Sequence, residues 1–270
     1  MPPSTTPGQT PALTTDLFRI HTIEACAWHA LPAPQSERHG DWILRLAGGY
    51  TKRANSANAA VPHASFDGVQ EAAQALYARH GLPAVFRVTP LAEPEADAQL
   101  QAAGYTVFDP SRVMVRALDG PLPPSASPVE ITAQPTPAWL AGLAAANGIA
   151  AQHQPIHHAM VNAIALPAAF ATLRHAGEAI GFGLAVREGD AVGFYDIVIA
   201  PAHRRRGHAA VLMHALMDWA REDGVHSQAP AGPRWAYLQV RDQNPAARQL
   251  YAGLGFQDFY RYHYRVPAEG

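Results

Sequence analysis

The stretch of residues 194–224, FYDIVIAPAHRRRGHAAVLMHALMDWAREDG, is the segment that most constrains the fold of this chain. It begins with an apolar run that predicts a buried strand, and Pro201 lacks the N–H that would continue the strand's ladder. Three arginines and a glycine follow. A helix ending at Gly224 is predicted next, because apolar residues recur at helical spacing: Val211, Leu212, Ala215, Leu216 and Trp219. The segment therefore predicts an α/β unit in which a basic loop joins a strand to a helix.

The loop between this strand and helix has the composition of an anion-binding site. Backbone N–H groups at the start of a helix have no partner within the helix, and the helix dipole adds partial positive charge there. Gly207 and Ala209 leave room for a ligand to approach the backbone, and Arg204, Arg205 and Arg206 add full positive charges. We expect a diphosphate to bind here. The alternative nucleotide-binding patterns, GxxxxGK[ST] and GxGxxG after a strand, do not occur in the sequence.

A second segment, residues 237–256, reads YLQVRDQNPAARQLYAGLGF. Its first four residues predict a strand, Asn244 is a favourable helix N-cap, Pro245 suits the first helical position, and Gly255 ends the helix. These rules explain the helix, but they do not require a tyrosine seven residues after the asparagine. Tyr251 is either a core aromatic with a satisfied hydroxyl or a functional residue.

Together the two segments resemble the GNAT acetyltransferase superfamily. The coenzyme A loop of that superfamily reads Arg/Gln-x-x-Gly-x-Gly/Ala after a strand that ends in Val-x-Pro. The matching positions here are Arg204, Gly207 and Ala209 in the loop, and Ile199 and Pro201 at the strand end. The second segment, with its asparagine, tyrosine and Gly-Phe pair, resembles the second GNAT motif at the right distance from the first.

The resemblance implies both a cosubstrate and a mechanism. Acetyl-CoA is implied to lie between the strand that ends at Ile199 and the strand that contains Gln239. These two strands are implied to separate at a bulge in the first of them. Backbone N–H groups of Val198 and Ile199 are implied to stabilise the oxyanion, and Tyr251 to act as general acid on the departing thiolate. The implied acetyl-CoA contacts are Ile197, Val198, Ile199, Arg204, Arg205, Arg206, Gly207, His208, Ala209, Ala210, Asn244 and Tyr251.

The general base is the open point of this interpretation. Many relatives have a glutamate where Gln239 stands, and an amide cannot take a proton. Asp196 is our candidate base, with Asp242 and the pair His157 and His158 as alternatives.

Composition divides the chain into two halves. Proline and serine are concentrated in residues 118–129, LDGPLPPSASPV, which predicts a linker. Residues 1–15 predict a disordered tail. Residues 16–117 are expected to form a degenerate GNAT-like domain, and residues 130–270 the catalytic GNAT domain. The predicted fold class is mixed α/β, with two tandem GNAT-like domains, each a mostly antiparallel twisted sheet flanked by helices.

The elements of the two halves follow a similar order, which suggests a duplicated unit. In the first half, the sequence predicts helices near residues 23–31, 68–80 and 96–103, strands near residues 42–47, 53–60 and 84–88, and a final strand pair. In the second half, it predicts helices near residues 137–146 and 158–165, and strands at residues 169–175, 179–187 and 191–199. At the place of the basic loop, the first half has residues 61–73, where Asp67 would repel a phosphate.

The segment of residues 42–56, WILRLAGGYTKRANS, looks like a signature of bacterial tandem acetyltransferases of unassigned substrate. Two interpretations stay open. Arg53 and Asn55 either make structural hydrogen bonds in a hairpin, or this strand pair lines the groove for the acceptor.

Charge and composition exclude several classes of function. The net charge of −2 does not favour nucleic-acid binding, and no apolar run approaches the ~20 residues needed to cross a bilayer. A lone cysteine, Cys26, is expected to be buried and unreactive. His153 with the two nearby histidines does not predict a metal site, because Pro155 interrupts their helical spacing and no cysteine or carboxylate joins them.

We therefore expect a cytoplasmic N-acetyltransferase, monomer or homodimer, that uses acetyl-CoA, no metal, and a small-molecule or peptide amine as acceptor. The alternative from another class is a non-catalytic acyl-CoA sensor or interaction module.

Overall fold

The computed structural model describes residues 11–118, 129–221 and 233–268, with only the backbone given for residues 11–15. The helices in this part of the chain are α1 (Pro11–Ala30), α2 (Val69–Arg79), α3 (Glu95–Ala102), α4 (Pro137–Asn147), α5 (Gln154–Asn162), α6 (His208–Arg221) and α7 (Pro245–Gly253). The strands are β1 (Gln35–His39), β2 (Trp42–Leu46), β3 (Ala57–Ala59), β4 (Phe86–Val88), β5 (Tyr105–Ala117), β6 (Val129–Thr132), β7 (Ala168–His175), β8 (Glu178–Glu188), β9 (Ala191–Ile199), β10 (Trp235–Arg241) and β11 (Gln257–Pro267). Short 3-10 helices span Ala151–His153 and Pro201–His203.

The eleven described strands form one sheet in the order β1-β2-β3-β4-β11-β5-β10-β9-β8-β7-β6. Two neighbouring pairs, β3 with β4 and β9 with β10, are parallel, and the other pairs are antiparallel. The predicted mixed α/β fold class is confirmed. Strand β5 of the first half lies between β10 and β11 of the second, where Val113 is paired with both Gln239 and Tyr260. The two halves therefore share a single sheet, which the sequence did not indicate.

Helices cover both faces of this sheet. One hydrophobic cluster holds buried residues of α1 to α5, and the other holds those of α6 and α7. Strand β10 shows the alternation that this layering requires, because Tyr237 packs in the first cluster while Ala236 and Leu238 pack in the second. None of the helices in the described ranges is long and apolar enough to span a membrane.

Several predicted boundaries differ from the structure. The helix expected at residues 23–31 is the second half of α1, which begins at Pro11 within the predicted tail. Only Ala57–Ala59 of the strand expected at residues 53–60 is extended, because the residues before it form turns. The predicted final strand pair of the first half is one long strand, β5. Residues 1–10 and 119–128, and the predicted helix end at Gly224, lie outside the described residues.

A buried ion pair between Glu24 and Arg87 connects α1 to the sheet. Glu24 and Arg87 are 1% and 3% exposed, and both carboxylate oxygens accept hydrogen bonds from the guanidinium at 2.8 Å. Tyr260 of β11 also donates to this carboxylate. The pair thus joins α1, β4 and β11. Cys26 of the same helix is buried, as predicted, and burial raises the pKa of its thiol to about 12.

Candidate active site

A bulge in β9 interrupts the central sheet. The register of β9 against β8 shifts between the pairs Leu184 with Tyr195 and Phe182 with Val198, so β9 contains one extra residue. Asp196 lies in the bulge with a φ of 52°, in the left-handed region that residues other than glycine seldom adopt. The bulge implied by the family resemblance is present, and it turns Asp196 out of the strand's regular alternation.

Strands β9 and β10 separate beyond this point. Their parallel pairing runs from Trp235 with Ala191 to Leu238 with Phe194 and then stops. Strand β10 continues along β5 as far as Arg241. The carboxyl ends of two neighbouring parallel strands therefore diverge, and the gap between them is open to a ligand.

Register decides which backbone groups of β9 face this gap. Ala200 donates its N–H to the carbonyl of Ile180 at 2.8 Å, so this N–H faces β8. Because N–H groups alternate between the two sides of a strand, the N–H of Val198 faces β8 and that of Ile199 faces the gap. The carbonyl of Ile199 also faces away from β8, since it accepts a hydrogen bond from Nε of Arg204 at 2.9 Å. Of the two predicted backbone donors, the geometry favours Ile199.

A cavity of about 490 Å³ opens at the gap and is lined by residues of both halves. The second half contributes Asn147, Phe194, Tyr195, Asp196, Ile197, Gln239, Val240, Arg241, Asn244, Ala247, Tyr251, Tyr262 and Tyr264. The first half contributes Tyr50, Thr51, Lys52, Arg53, Phe108, Asp109 and Ser111. The cavity thus brings together four of the predicted site residues: Asp196, Ile197, Asn244 and Tyr251.

Helix α7 holds two of these side chains in position. Asn244 caps the helix, because its Oδ1 accepts a hydrogen bond from the N–H of Ala247 at 3.1 Å. Seven residues later, Tyr251 lies on the buried side of the helix, 8% exposed and near the ring of Phe256. Burial raises the pKa of Tyr251 to about 12, so the phenol stays protonated at neutral pH. A protonated phenol in a cavity wall is suited to donate a hydrogen bond to a developing anion.

The structure separates the candidate bases. Asp242 accepts a hydrogen bond from Nε of Arg112 at 2.5 Å, which occupies its carboxylate in an ion pair away from the cavity lining. His157 is 3% exposed, and neither ring nitrogen has a hydrogen-bond partner among the described residues. Burial is the main cause that lowers the pKa of His157, and His158 adds to it while Asp196 opposes it. Asp196 is the only one of these candidates in the lining of the cavity.

Gln239, at the usual glutamate position, accepts a hydrogen bond from the hydroxyl of Tyr262 at 3.1 Å. Its side chain therefore has a structural partner on β11. Tyr262 and Tyr264, two positions apart on that strand, both line the cavity. The alternation of tyrosines in YRYHYR was the signal in the sequence that could have identified them.

The basic loop at the start of α6 has the backbone of an anion-binding site. Arg205 and Gly207 have φ values of 62° and 80°, and the backbone N–H groups of residues 205–209 donate to no acceptor in the described part of the chain. A Cβ at Gly207 would meet no protein atom within 4 Å, so space is open above the loop. These features fit a diphosphate. The loop is not part of the cavity lining, and Arg204 bends back onto Ile199.

The segment of residues 42–56 forms a hydrogen-bonded loop that reaches the cavity. Asn55 has a structural role, because its Oδ1 accepts hydrogen bonds from the N–H groups of Ala47 and Gly49 at 2.7 and 2.9 Å. Its Nδ2 donates to the carbonyl of Thr51 at 2.9 Å. The loop shaped by these bonds carries Tyr50 to Arg53 into the cavity wall. The segment therefore contributes to the cavity, and its asparagine shapes the loop.

Comparison with known proteins gives concordant matches. A family model described as "Probable histone acetyltransferase Rv0428c C-terminal" matches residues 18–265. The chain is 25% identical over 262 residues to a protein named "Uncharacterized N-acetyltransferase YobR" from Bacillus subtilis (strain 168), a match that covers 93% of this chain and 98% of YobR.

Similar folds occur among solved structures. A GCN5-related N-acetyltransferase from Kribbella flavida superposes with a TM-score of 0.68 at 17% identity, over 93% of this chain and 96% of that chain. A tandem GNAT protein from the clavulanic acid biosynthesis pathway superposes with a TM-score of 0.59 at 16% identity, over 90% and 86% of the two chains. At these identities the likeness concerns the fold alone.

Proposed function

This chain belongs to the GNAT acetyltransferases, in the family described as probable histone acetyltransferase Rv0428c, C-terminal, and we propose that it transfers an acetyl group from acetyl-CoA to a primary amine. The acceptor is the amine of a small molecule or peptide. The observation that carries the proposal is the separation of β9 from β10 at the Asp196 bulge, with Tyr251 in the wall of the cavity that results.

The basic loop is our proposed site for the diphosphate of acetyl-CoA. Backbone N–H groups of residues 205–209 have no acceptor among the described residues, and Gly207 leaves the space above them open. Arg205 and Arg206 are exposed beside them and supply charge, while Arg204 orients the end of β9 through its bond to Ile199. From this loop, β9 leads directly back to the gap, so one extended ligand can follow the strand from the loop to the cavity.

The chain's own residues have distinct roles in the proposed transfer. The amine attacks the thioester carbonyl, a C–N bond forms and the C–S bond breaks. The N–H of Ile199 hydrogen-bonds to the carbonyl oxygen as negative charge develops there. Asp196 accepts the proton that the amine loses, directly or through water, and Tyr251 hydrogen-bonds to the departing thiolate, which then gains a proton.

A non-catalytic acyl-CoA sensor is the second candidate. Gln239 supports it, because this amide cannot act as the base that a glutamate would supply at the same place. The enzyme is the better supported of the two, since the cavity also contains a carboxylate and a protonated phenol, which a sensor does not need.

One experiment separates the two candidates. The protein is incubated with acetyl-CoA and a panel of amines, and both free thiol and the mass of the acetylated product are followed. We expect thiol release that depends on the amine and matches product formation, and a large loss of both in Asp196→Asn. Binding of acetyl-CoA without amine-dependent thiol release from any acceptor would favour the sensor.

A further inference from the structure

Two consecutive cations of the first half, Lys52 and Arg53, line the cavity and form no ion pair with any residue that the structure describes. The Arg53 side chain lines the cavity, and none of the described residues forms a hydrogen bond or ion pair with its guanidinium. The ammonium of Lys52 stands 3.9 Å from the centre of the Phe108 ring, at the same wall. Because a half-buried guanidinium has five N–H donors and a permanent charge, leaving it without an acceptor is costly.

None of the other charged residues in the cavity lining forms an ion pair with Lys52 or Arg53. Nη1 of Arg241 lies 3.7 Å from Oδ1 of Asp109, so these two side chains form an ion pair with each other. The remaining carboxylate of the lining, Asp196, acts on Arg53 through its field, and no ion pair joins the two side chains among the described residues. Burial lowers the pKa of Arg53, but the field of Asp196 and three tyrosines outweighs burial and leaves the pKa raised. The guanidinium is therefore charged, and it belongs to the lining of the cavity that a ligand would enter.

We propose that the acceptor is an amine that also carries a carboxylate, as in an amino acid, with the carboxylate bound by Arg53 and Lys52. The proposal rests on the proposed function and defines its substrate class. The acceptor's ammonium group pairs with Asp196, a carboxylate of the same cavity lining, so both charged groups of an amino acid find a partner of opposite sign. The bound ammonium first loses one proton to water, and the neutral amine nitrogen then attacks the thioester carbonyl as described above. The acceptor's carboxylate takes no part in the chemistry.

The same charges argue against a strongly basic acceptor. The lining contains three cationic side chains, Lys52, Arg53 and Arg241, and two carboxylates, Asp109 and Asp196. A polycationic peptide would bring like charges to Lys52 and Arg53, which disfavours binding. A basic peptide with an acetylated N-terminus and one internal lysine is therefore a comparison substrate that distinguishes the two acceptor classes.

The test uses matched acceptors: amino acids, their carboxamides and the corresponding decarboxylated amines, with acetyl-CoA and the full-length protein. We expect kcat/KM to be about 10- to 100-fold higher for the acid than for its amide, the range of a charge-assisted hydrogen bond. Arg53→Gln should bring this ratio close to one, and Arg53→Lys should restore part of it. Arg241→Gln is the matched control, because its charge is already paired with Asp109, and it should leave the ratio unchanged.

Lys52→Gln serves as a second variant in case Arg53→Gln does not fold, because no hydrogen bond or ion pair among the described residues depends on the Lys52 ammonium. It should lower the same ratio. Equal rates for acid and amide, a ratio unaffected by both variants, or preference for the basic peptide would overturn the proposal and leave the proposed function intact. If no amine is acetylated, the carboxylate site can still be tested by binding. The acids and amides are titrated by calorimetry into protein saturated with coenzyme A. Tighter binding of the acids that is lost in Arg53→Gln supports the carboxylate site, and equal or no binding overturns it.

Discussion

Replacing Tyr251 by phenylalanine removes one hydroxyl from the cavity wall and leaves the ring that fills the space between α7 and Phe256. The pKa of Tyr251, raised to about 12 by burial, lies well above the ordinary thiol value of about 8.5. Complete proton transfer from this phenol to a thiolate is therefore uphill, and a hydrogen bond to the developing charge is the favoured role. Such a bond contributes about 1.5 to 3 kcal/mol, which corresponds to a loss of about 10- to 100-fold in kcat.

The assay is steady-state thiol release with a good acceptor, preceded by a burst measurement that establishes whether chemistry limits the rate. The KM for acetyl-CoA and the unfolding midpoint should change little, because the hydroxyl acts mainly in the transition state. Tyr262→Phe is the control, since its hydroxyl lines the same cavity but is bonded to Gln239, and it should have the smaller effect. Full turnover by Tyr251→Phe with chemistry rate-limiting would refute the role assigned to this residue.

Three further predictions concern stability and pH. Glu24→Gln should lower the free energy of unfolding by about 3 to 5 kcal/mol, because it leaves Arg87 buried without its counter-charge. In urea titrations, the double variant Glu24→Gln with Arg87→Met should recover part of the lost stability. Burial lowers the pKa of His157, so as pH falls below about 6.5 the unfolded chain binds a proton at this residue before the folded chain does. The free energy of unfolding should therefore drop by up to about 1.4 kcal/mol per pH unit in that range. A free energy of unfolding that does not change with pH there would contradict this. Partial burial, two neighbouring histidines and an arginine lower the pKa of His208. An anion bound at the loop raises the pKa of His208, so the affinity for acetyl-CoA should increase as pH falls from 8 to 5.5. For a pKa shift of about half a unit the increase is about threefold, and His208→Gln should remove it.

Local signals in the sequence predicted the helices and strands around residues 194–256, because a proline, a capping asparagine and helical periodicity act over a few residues. The same signals located Asp196, Asn244 and Tyr251, which line the cavity. The sequence could not predict that β5 inserts between β10 and β11, since pairing over more than a hundred residues leaves no local pattern. For that reason the contributions of Phe108, Asp109 and Ser111 were missed.

The sequence also could not predict which backbone N–H group of β9 faces the gap. Val198 and Ile199 are adjacent and similar, and only the register of β9 against β8 distinguishes which of them faces the gap. Likewise, the RRRG sequence suggested three equivalent phosphate ligands, whereas the structure directs Arg204 onto the carbonyl of Ile199.

The most direct measurement of the central claim is a calorimetric titration of acetyl-CoA into the wild-type protein and into Gly207→Val. Gly207 has a φ of 80°, and a side chain there would occupy the open space above the loop's N–H groups. Gly189→Val is the matched control, because Gly189 also has a left-handed φ, of 58°, and open space around it, but it lies in the turn between β8 and β9. Both substitutions carry a similar conformational strain of about 1 to 2 kcal/mol. We expect one acetyl-CoA per chain in the wild type and in Gly189→Val, and no measurable binding in a folded Gly207→Val. Two equivalent sites per chain, or unchanged affinity in Gly207→Val, would contradict the assignment of this loop as the acetyl-CoA site.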